Sequence, residues 1–113
     1  MSQQSLNTMN KLEGESQFDV RRFRPNLLVD IPDTEHPFPE QAWVGKTLSV
    51  GSVTLKIDMT CPRCAMTTHA FCDLPQDTQI MRNLVANSEG NLGIYASVAQ
   101  AGKLTAGDAV SVM

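Results

Sequence analysis

The chain has 113 residues, 42% apolar and 19% charged, which is enough to bury one core and too few for two domains. Its formal net charge of −3 excludes a general nucleic-acid binder, which carries a basic stripe. No apolar run approaches the roughly 20 residues that span a bilayer, and the polar stretch from Met1 to Asn10 lacks the apolar centre of a secretory signal. The expectation is therefore one cytoplasmic domain over 1–113 with no membrane attachment, its first residues, 1–4, disordered.

In chain order, Leu6, Met9 and Leu12 recur at helical spacing and predict a helix within 1–15, stopped by Gly14. Phe18, Val20 and Arg22 alternate with Asp19 and Arg21, the pattern of a strand. Pro25 pushes Arg24 toward an extended conformation, and Leu27-Leu28-Val29 predicts a short buried strand. Arg21, Arg22 and Arg24 are read in two ways. They are a solvated edge paired with Asp19 or Asp30, or an anion clamp in which Arg24 and Asn26 offer donors. Residues 31–42, with Pro32, Pro37 and Pro39, predict a loop and candidate mobile rim, and His36 in it is read as exposed, without a ligand role.

Residues 43–59 give the clearest hairpin. Leu48 and Val50 alternate with polar neighbours, Gly51-Ser52 forms the turn, and Val53, Leu55, Ile57 and Met59 return along the apolar face. Asp77 or Thr78 then caps a helix with Ile80, Met81, Leu84 and Val85 on one side. Leu92 to Val98 reads as a strand holding Tyr95, with Gly93 marking a bulge or a close approach. After turns at 101–103 and 105–108, Ala109 to Met113 reads as a closing strand.

Between hairpin and second helix lies the stretch richest in reactive groups, Met59-Thr60-Cys61-Pro62-Arg63-Cys64-Ala65-Met66-Thr67-Thr68. Its Cys-x-x-Cys admits three readings from the residues. Cys61, Cys64, His69 and Cys72 make a zinc-knuckle-like set, although the last interval is short. A redox dithiol needs a helix starting at the motif and a parallel βαβ context, which a hairpin does not supply. In the third reading, Cys61 and Cys72 are small buried apolar groups.

A further reading rests on resemblance. Arg22-Phe23-Arg24-Pro25-Asn26, Trp43-Val44-Gly45-Lys46, Cys61-Pro62-Arg63-Cys64-Ala65-Met66-Thr67-Thr68, Gly93-Ile94-Tyr95 and Lys103-Leu104-Thr105-Ala106-Gly107-Asp108-Ala109-Val110 resemble, in order and spacing, the successive motifs of the MOSC family. That family includes the C-terminal domains of molybdenum-cofactor sulfurases and the amidoxime-reducing components. The resemblance implies a mainly β fold with two short helices (α+β), an antiparallel, partly open barrel, and a molybdenum-pterin cofactor; pyridoxal phosphate is not implied. By analogy Cys64 is the thiolate on molybdenum or a carrier of sulfur. Arg24, Asn26, Pro62, Arg63, Thr67 and Tyr95 line the pterin site, with Arg24 and Arg63 forking onto phosphate. His69-Ala70 stands where relatives carry an acidic residue, and the family's upstream strands and separate N-terminal barrel domain have no counterpart here. Exposed sheet edges then invite a homodimer, and a redox or sulfur-transfer protein is the implied partner. The alternative is a non-catalytic module, either zinc-binding or a cofactor-free interaction protein that retains only the fold.

Overall fold

The computed structural model describes residues 1–31 and 34–113; Pro32 and Asp33 of the expected loop lie outside the described residues. The chain builds helix α1 (Gln3–Leu12), strands β1 (Thr47–Val50) and β2 (Val53–Pro62), helix α2 (Gln79–Ser88), and strands β3 (Asn91–Gln100) and β4 (Val110–Val112). The strands form one antiparallel sheet of four in the order β3-β2-β1-β4, and it does not close into a barrel. The architecture is α+β, as expected.

Two apolar clusters organise these elements. The larger gathers Leu6 and Met9 of α1, Phe18, Phe23, Phe38, Ile80 and Leu84 of α2, and Leu92 at the start of β3. The smaller lies on the sheet, where Leu48, Val50 and Ile57 are joined by Trp43, Leu55, Ile94 and Val110. The hairpin turns at Gly51-Ser52, pairing Val50 with Val53 and Leu48 with Leu55.

The chain's first residues take part in the start of α1. Ser2 caps α1, its hydroxyl accepting from Ser5 N at 3.1 Å. The carboxylate of Glu40, itself buried, accepts from the hydroxyls of Ser2 and Ser5, the latter at 2.6 Å. A buried carboxylate is tolerated there because the helix N-terminus is electropositive and both serines donate to it.

Several local expectations are corrected. The alternation at 18–22 is not a strand. Asp19 accepts from Arg21 N at 2.9 Å and nucleates a 3-10 turn over Val20–Arg22, a local side-chain bond that competes with sheet pairing. Arg24 is not extended either. Its N–H donates to Val20 O at 3.1 Å with φ +50, closing that turn in the left-handed region despite the proline that follows. Leu27-Leu28-Val29 joins no sheet; Val29 makes an isolated parallel bridge to Ser2, and Leu28 is exposed. Pro39–Trp43 adds another 3-10 turn. Met59 leaves the apolar face because the β2–β3 register shifts between Ile57 and Met59. His36 is exposed, its Nδ1 accepting from Phe38 N at 3.0 Å.

In α2 the expected apolar side is narrower than read. Ile80 and Leu84, one turn apart, are fully buried, whereas Val85 is 60% exposed, since one further residue rotates about 100° around a helix. Asp77 supplies the cap, accepting from Gln79 N at 2.9 Å. Leu84→Ala is expected to cost about 3 kcal/mol and Val85→Ala less than about 0.5 kcal/mol, read from urea denaturation midpoints.

Candidate functional site

The Cys-x-x-Cys motif starts in a strand and ends outside it. Cys61 is buried in β2, Pro62 ends the strand opposite Asn91, and Cys64 is extended (φ −127, ψ 180) and exposed. In extended backbone, residues three apart point to opposite faces. The two thiols therefore differ in surroundings: one is packed behind β2 and the other opens to solvent.

After Cys64 the chain folds into a 3-10 turn over Ala65–Thr68. Both Thr67 N (3.2 Å) and Thr67 Oγ1 (3.0 Å) donate to Cys64 O, and Thr68 Oγ1 donates to Ala65 O at 2.6 Å. Thr67 and Thr68 are buried. Their hydroxyls thus fix the backbone that carries Cys64 and do not face a ligand.

Arg22 clamps the next segment from beneath. Its buried guanidinium donates to four backbone carbonyls: Gln17 O (3.0 Å), Thr67 O (3.3 Å), His69 O (3.3 Å) and Pro75 O (2.7 Å). Arg21, one residue earlier, turns outward to Asp19 at 3.0 Å and Asp73 at 2.7 Å. These bonds to the guanidinium hold both carboxyls below the usual carboxylate range. The solvated-edge reading thus describes Arg21, although Asp30 is taken by Gln4 instead.

Arg63 is the third anchor. Its Nε donates to Leu92 O at 2.9 Å and its Nη1 to Phe23 O at 3.0 Å, with the guanidinium 5.3 Å from the Phe23 ring centre. The expected bidentate grip on a phosphate is not the geometry seen, because those donors are used on the protein's own carbonyls. Gly93 explains the close approach. Its φ is +85, and a Cβ placed there would sit 3.3 Å from Arg63 Nη2.

Two cavities meet along this anchor. A cleft of about 410 Å³ is lined by Cys64, Arg24, Pro62, Arg63, Thr67 and Tyr95, together with Arg21, Arg22, Phe23, Met66, His69, Ala70 and Phe71. The adjoining cavity of about 340 Å³ is walled by apolar residues of the sheet, with Asn26, Glu40 and Cys61 among its polar groups. Phe23, Arg24, Arg63 and Tyr95 line both. Of the seven site residues that the resemblance implies, six line this cleft, Cys64 itself included. Asn26 does not, lining only the neighbouring cavity.

Among the described residues no salt bridge or side-chain hydrogen bond engages Arg24, which is exposed at the cleft mouth. Tyr95, which lines the same cleft, is 51% exposed. Cys61, the neighbour that acts on it most, raises the Tyr95 pKa above its ordinary value; Arg63 opposes this.

The zinc set fails on geometry. Cys61 is buried, and Cys64 and Cys72 are exposed on separate turns. Among the described residues no three His, Cys, Asp or Glu side chains converge as metal ligands. Cys72 is not the small buried group expected. It takes φ +51 in the tight turn closed by Phe71 and Leu74, which buries Leu74 in its place.

Phe23, Met66 and Phe71 are cleft residues that sequence reasoning missed as functional, and Arg22, read there as an edge or clamp residue, instead holds backbone carbonyls. Arg22 carried a signal in its position beside the motif but none in its type, since a buried arginine bonded only to carbonyls has no sequence signature.

A profile described as the MOSC domain matches residues 1–111. The chain is 37% identical over 109 residues to mitochondrial amidoxime reducing component 2 from Homo sapiens, an alignment covering 85% of this chain and 31% of that protein. The protein of the same name from Bos taurus is 30% identical over 132 residues, covering 100% and 36%. The chain thus spans about a third of the length of the curated relatives it matches. Among the described residues no helix is long and apolar enough to cross a membrane, and the relatives are described as mitochondrial.

Two outcomes follow from this geometry. The chain has a single tyrosine, so ultraviolet titration of the phenolate reads Tyr95 alone; its midpoint is expected above the ordinary value of about 10 and back near it in Cys61→Ala. Arg22→Ala leaves its carbonyls without their donor and is expected to cost about 2 to 4 kcal/mol, measured by urea denaturation.

Proposed function

Taking as premise that this chain belongs to the MOSC domain family, we propose that its cleft receives an anionic molybdenum-pterin group, with the Cys64 thiolate toward the metal. The observation that carries this reading is the shared cleft. An exposed thiol, Cys64, and a guanidinium unpaired among the described residues, Arg24, line one cavity with Tyr95 on its wall. The donor chemistry fits such a group. A soft thiolate suits molybdenum, Arg24 offers charge-assisted donors to phosphate, and the volume lies in the range of small-molecule sites.

When bound, the group supplies the redox chemistry. The chain's own residues do the placing. Thr67 holds the Cys64 carbonyl, Arg22 holds the segment behind it, and Arg63 holds the β3 wall. None of these side chains bonds to the Cys64 sulfur, which stays open to a ligand. Relatives named for amidoxime reduction are about three times longer, and we attach to this chain only the metal-holding end of that activity.

The test is molybdenum and pterin analysis of protein expressed with molybdate. Wild type is expected to retain both. Cys64→Ser is expected to lose molybdenum while keeping its circular dichroism, and Arg24→Ala to weaken retention by roughly 10- to 100-fold, the worth of one charge-assisted hydrogen bond. Cyanide-labile sulfur on Cys64 without pterin would instead assign the thiol to sulfur carriage. Wild type holding neither, or Cys64→Ser holding molybdenum in full, overturns the reading.

A further inference from the structure

The proposed site uses the side chains of β3 and leaves that strand's outer edge unexplained. Strand β3 is the outer member of the β3-β2-β1-β4 order. From Asn91 to Gln100 it reads Asn-Leu-Gly-Ile-Tyr-Ala-Ser-Val-Ala-Gln, with no charge and no proline. Free edges are ordinarily blunted by lysine, proline or an inward charge, since an unpaired row of N–H and C=O groups invites another strand. β3 carries none of these. The opposite edge, β4, runs only from Val110 to Val112.

The irregularities of the β2–β3 ladder frame one regular stretch of that edge. Ala99 is passed over between the Leu55–Val98 and Thr54–Gln100 pairs, and Leu92 and Gly93 are passed over between Thr60–Ile94 and Pro62–Asn91. Between them Ile94, Tyr95, Ala96, Ser97 and Val98 each have a partner in succession, the extra residue, Asp58, lying on β2.

We infer that a second copy of this chain pairs antiparallel along Ile94–Val98, about a two-fold axis at Ala96. The register follows from the side chains. With Ala96 opposite its own copy, Ile94 of each chain faces Val98 of the other, and Tyr95 faces Ser97. Ile94, Ala96 and Val98 lie on the face that Leu55 and Ile57 share, and Ile94 packs on the Leu48–Ile57 cluster. One apolar row then runs unbroken from one sheet into its copy, covering Val98, which is 64% exposed. Moving the axis to Tyr95 or Ser97 puts two tyrosines or two serines at the centre and breaks the Ile94–Val98 match. A second copy is the occupant that this edge favours. Identical neutral strands meet with no like-charge penalty, and an edge without charge offers a partner of chosen charge nothing to recognise. The isologous contact closes at two copies. It also brings Tyr95, which lines the Cys64 cleft, to the boundary between the copies.

The test is sedimentation equilibrium of the full chain at high micromolar concentration, with circular dichroism as the check on folding. Wild type is expected at twice the 12.4 kDa chain mass. Ala96→Lys and Ala96→Asp each place like charges at the axis and are each expected to be monomeric. Mixing the two is expected to restore the doubled mass, which a merely misfolded variant cannot do. Ser111→Lys, on β4, is expected to remain a dimer. A monomeric wild type, a dimer that persists in both Ala96 variants, a mixture that stays monomeric, or a dimer lost in Ser111→Lys each overturns the inference.

Discussion

The guanidinium of Arg63 is the point at which the parts of the molecule are joined. It reaches from the end of β2 to the carbonyl of Leu92 at the start of β3 and to that of Phe23 in the arginine-rich turn, and it lies over the Phe23 ring that stacks on Phe18 in the helical core. Sheet, turn and core are therefore held by one planar group whose donors are fixed in direction. The constraint extends to Gly93. A side chain there would crowd Arg63 Nη2 and the Met1 side chain, and the backbone sits at a φ that favours glycine. Because its partners are neutral carbonyls, Arg63 keeps its charge uncompensated within the protein.

The same is true of Arg22, whose guanidinium is bonded only to carbonyls, and of Arg24, whose side chain is bonded to nothing among the described residues. Among the described residues Arg21 is the arginine paired with carboxylates. A chain of net charge −3 thus assembles three uncompensated cations around one cleft, and such a local field favours an anion however acidic the rest of the surface is. The 3-10 turn over Val20–Arg22 makes this possible. A strand would have sent Arg22 and Arg24 to one face and Arg21 to the other. The tighter turn gives each of the three its own direction: outward to Asp73, inward beneath the cleft, and up to its mouth.

Periodicity made the hairpin, both helices and the strand with Tyr95 legible, because each has an apolar face set against a core. The turn at 20–22 was hidden because its determinant is a single bond from Asp19, while the residues around it alternate as a strand would. The burial of Arg22 was hidden for a related reason. Four carbonyls from distant residues make it tolerable, and carbonyls leave no mark in a sequence. The cleft residues from Arg24 to Tyr95 could be grouped by the order of motifs, yet the division of labour among them could not. Arg63 was read as a ligand-binding fork, and the structure spends that fork on the backbone. Asn26, two residues from Arg24, falls on the far side of the shared wall.

The fate of the cysteine pair follows from backbone geometry alone. Cys61 is buried, Pro62 exposed, Arg63 half-buried and Cys64 exposed, which is the alternation of extended chain carried past the last ladder pair. A Cys-x-x-Cys in a turn brings its sulfurs together, and in a helix it places them on one face. In extended backbone the odd spacing separates them, so neither a zinc half-site nor a dithiol forms without rearranging the chain. Proline at the second position and the carbonyl of Cys64 held by Thr67 oppose that rearrangement from both sides. One sulfur is thereby committed to the packing beneath Tyr95 and the other to solvent in a cationic cleft, and the chemistry of the motif narrows to a single thiol.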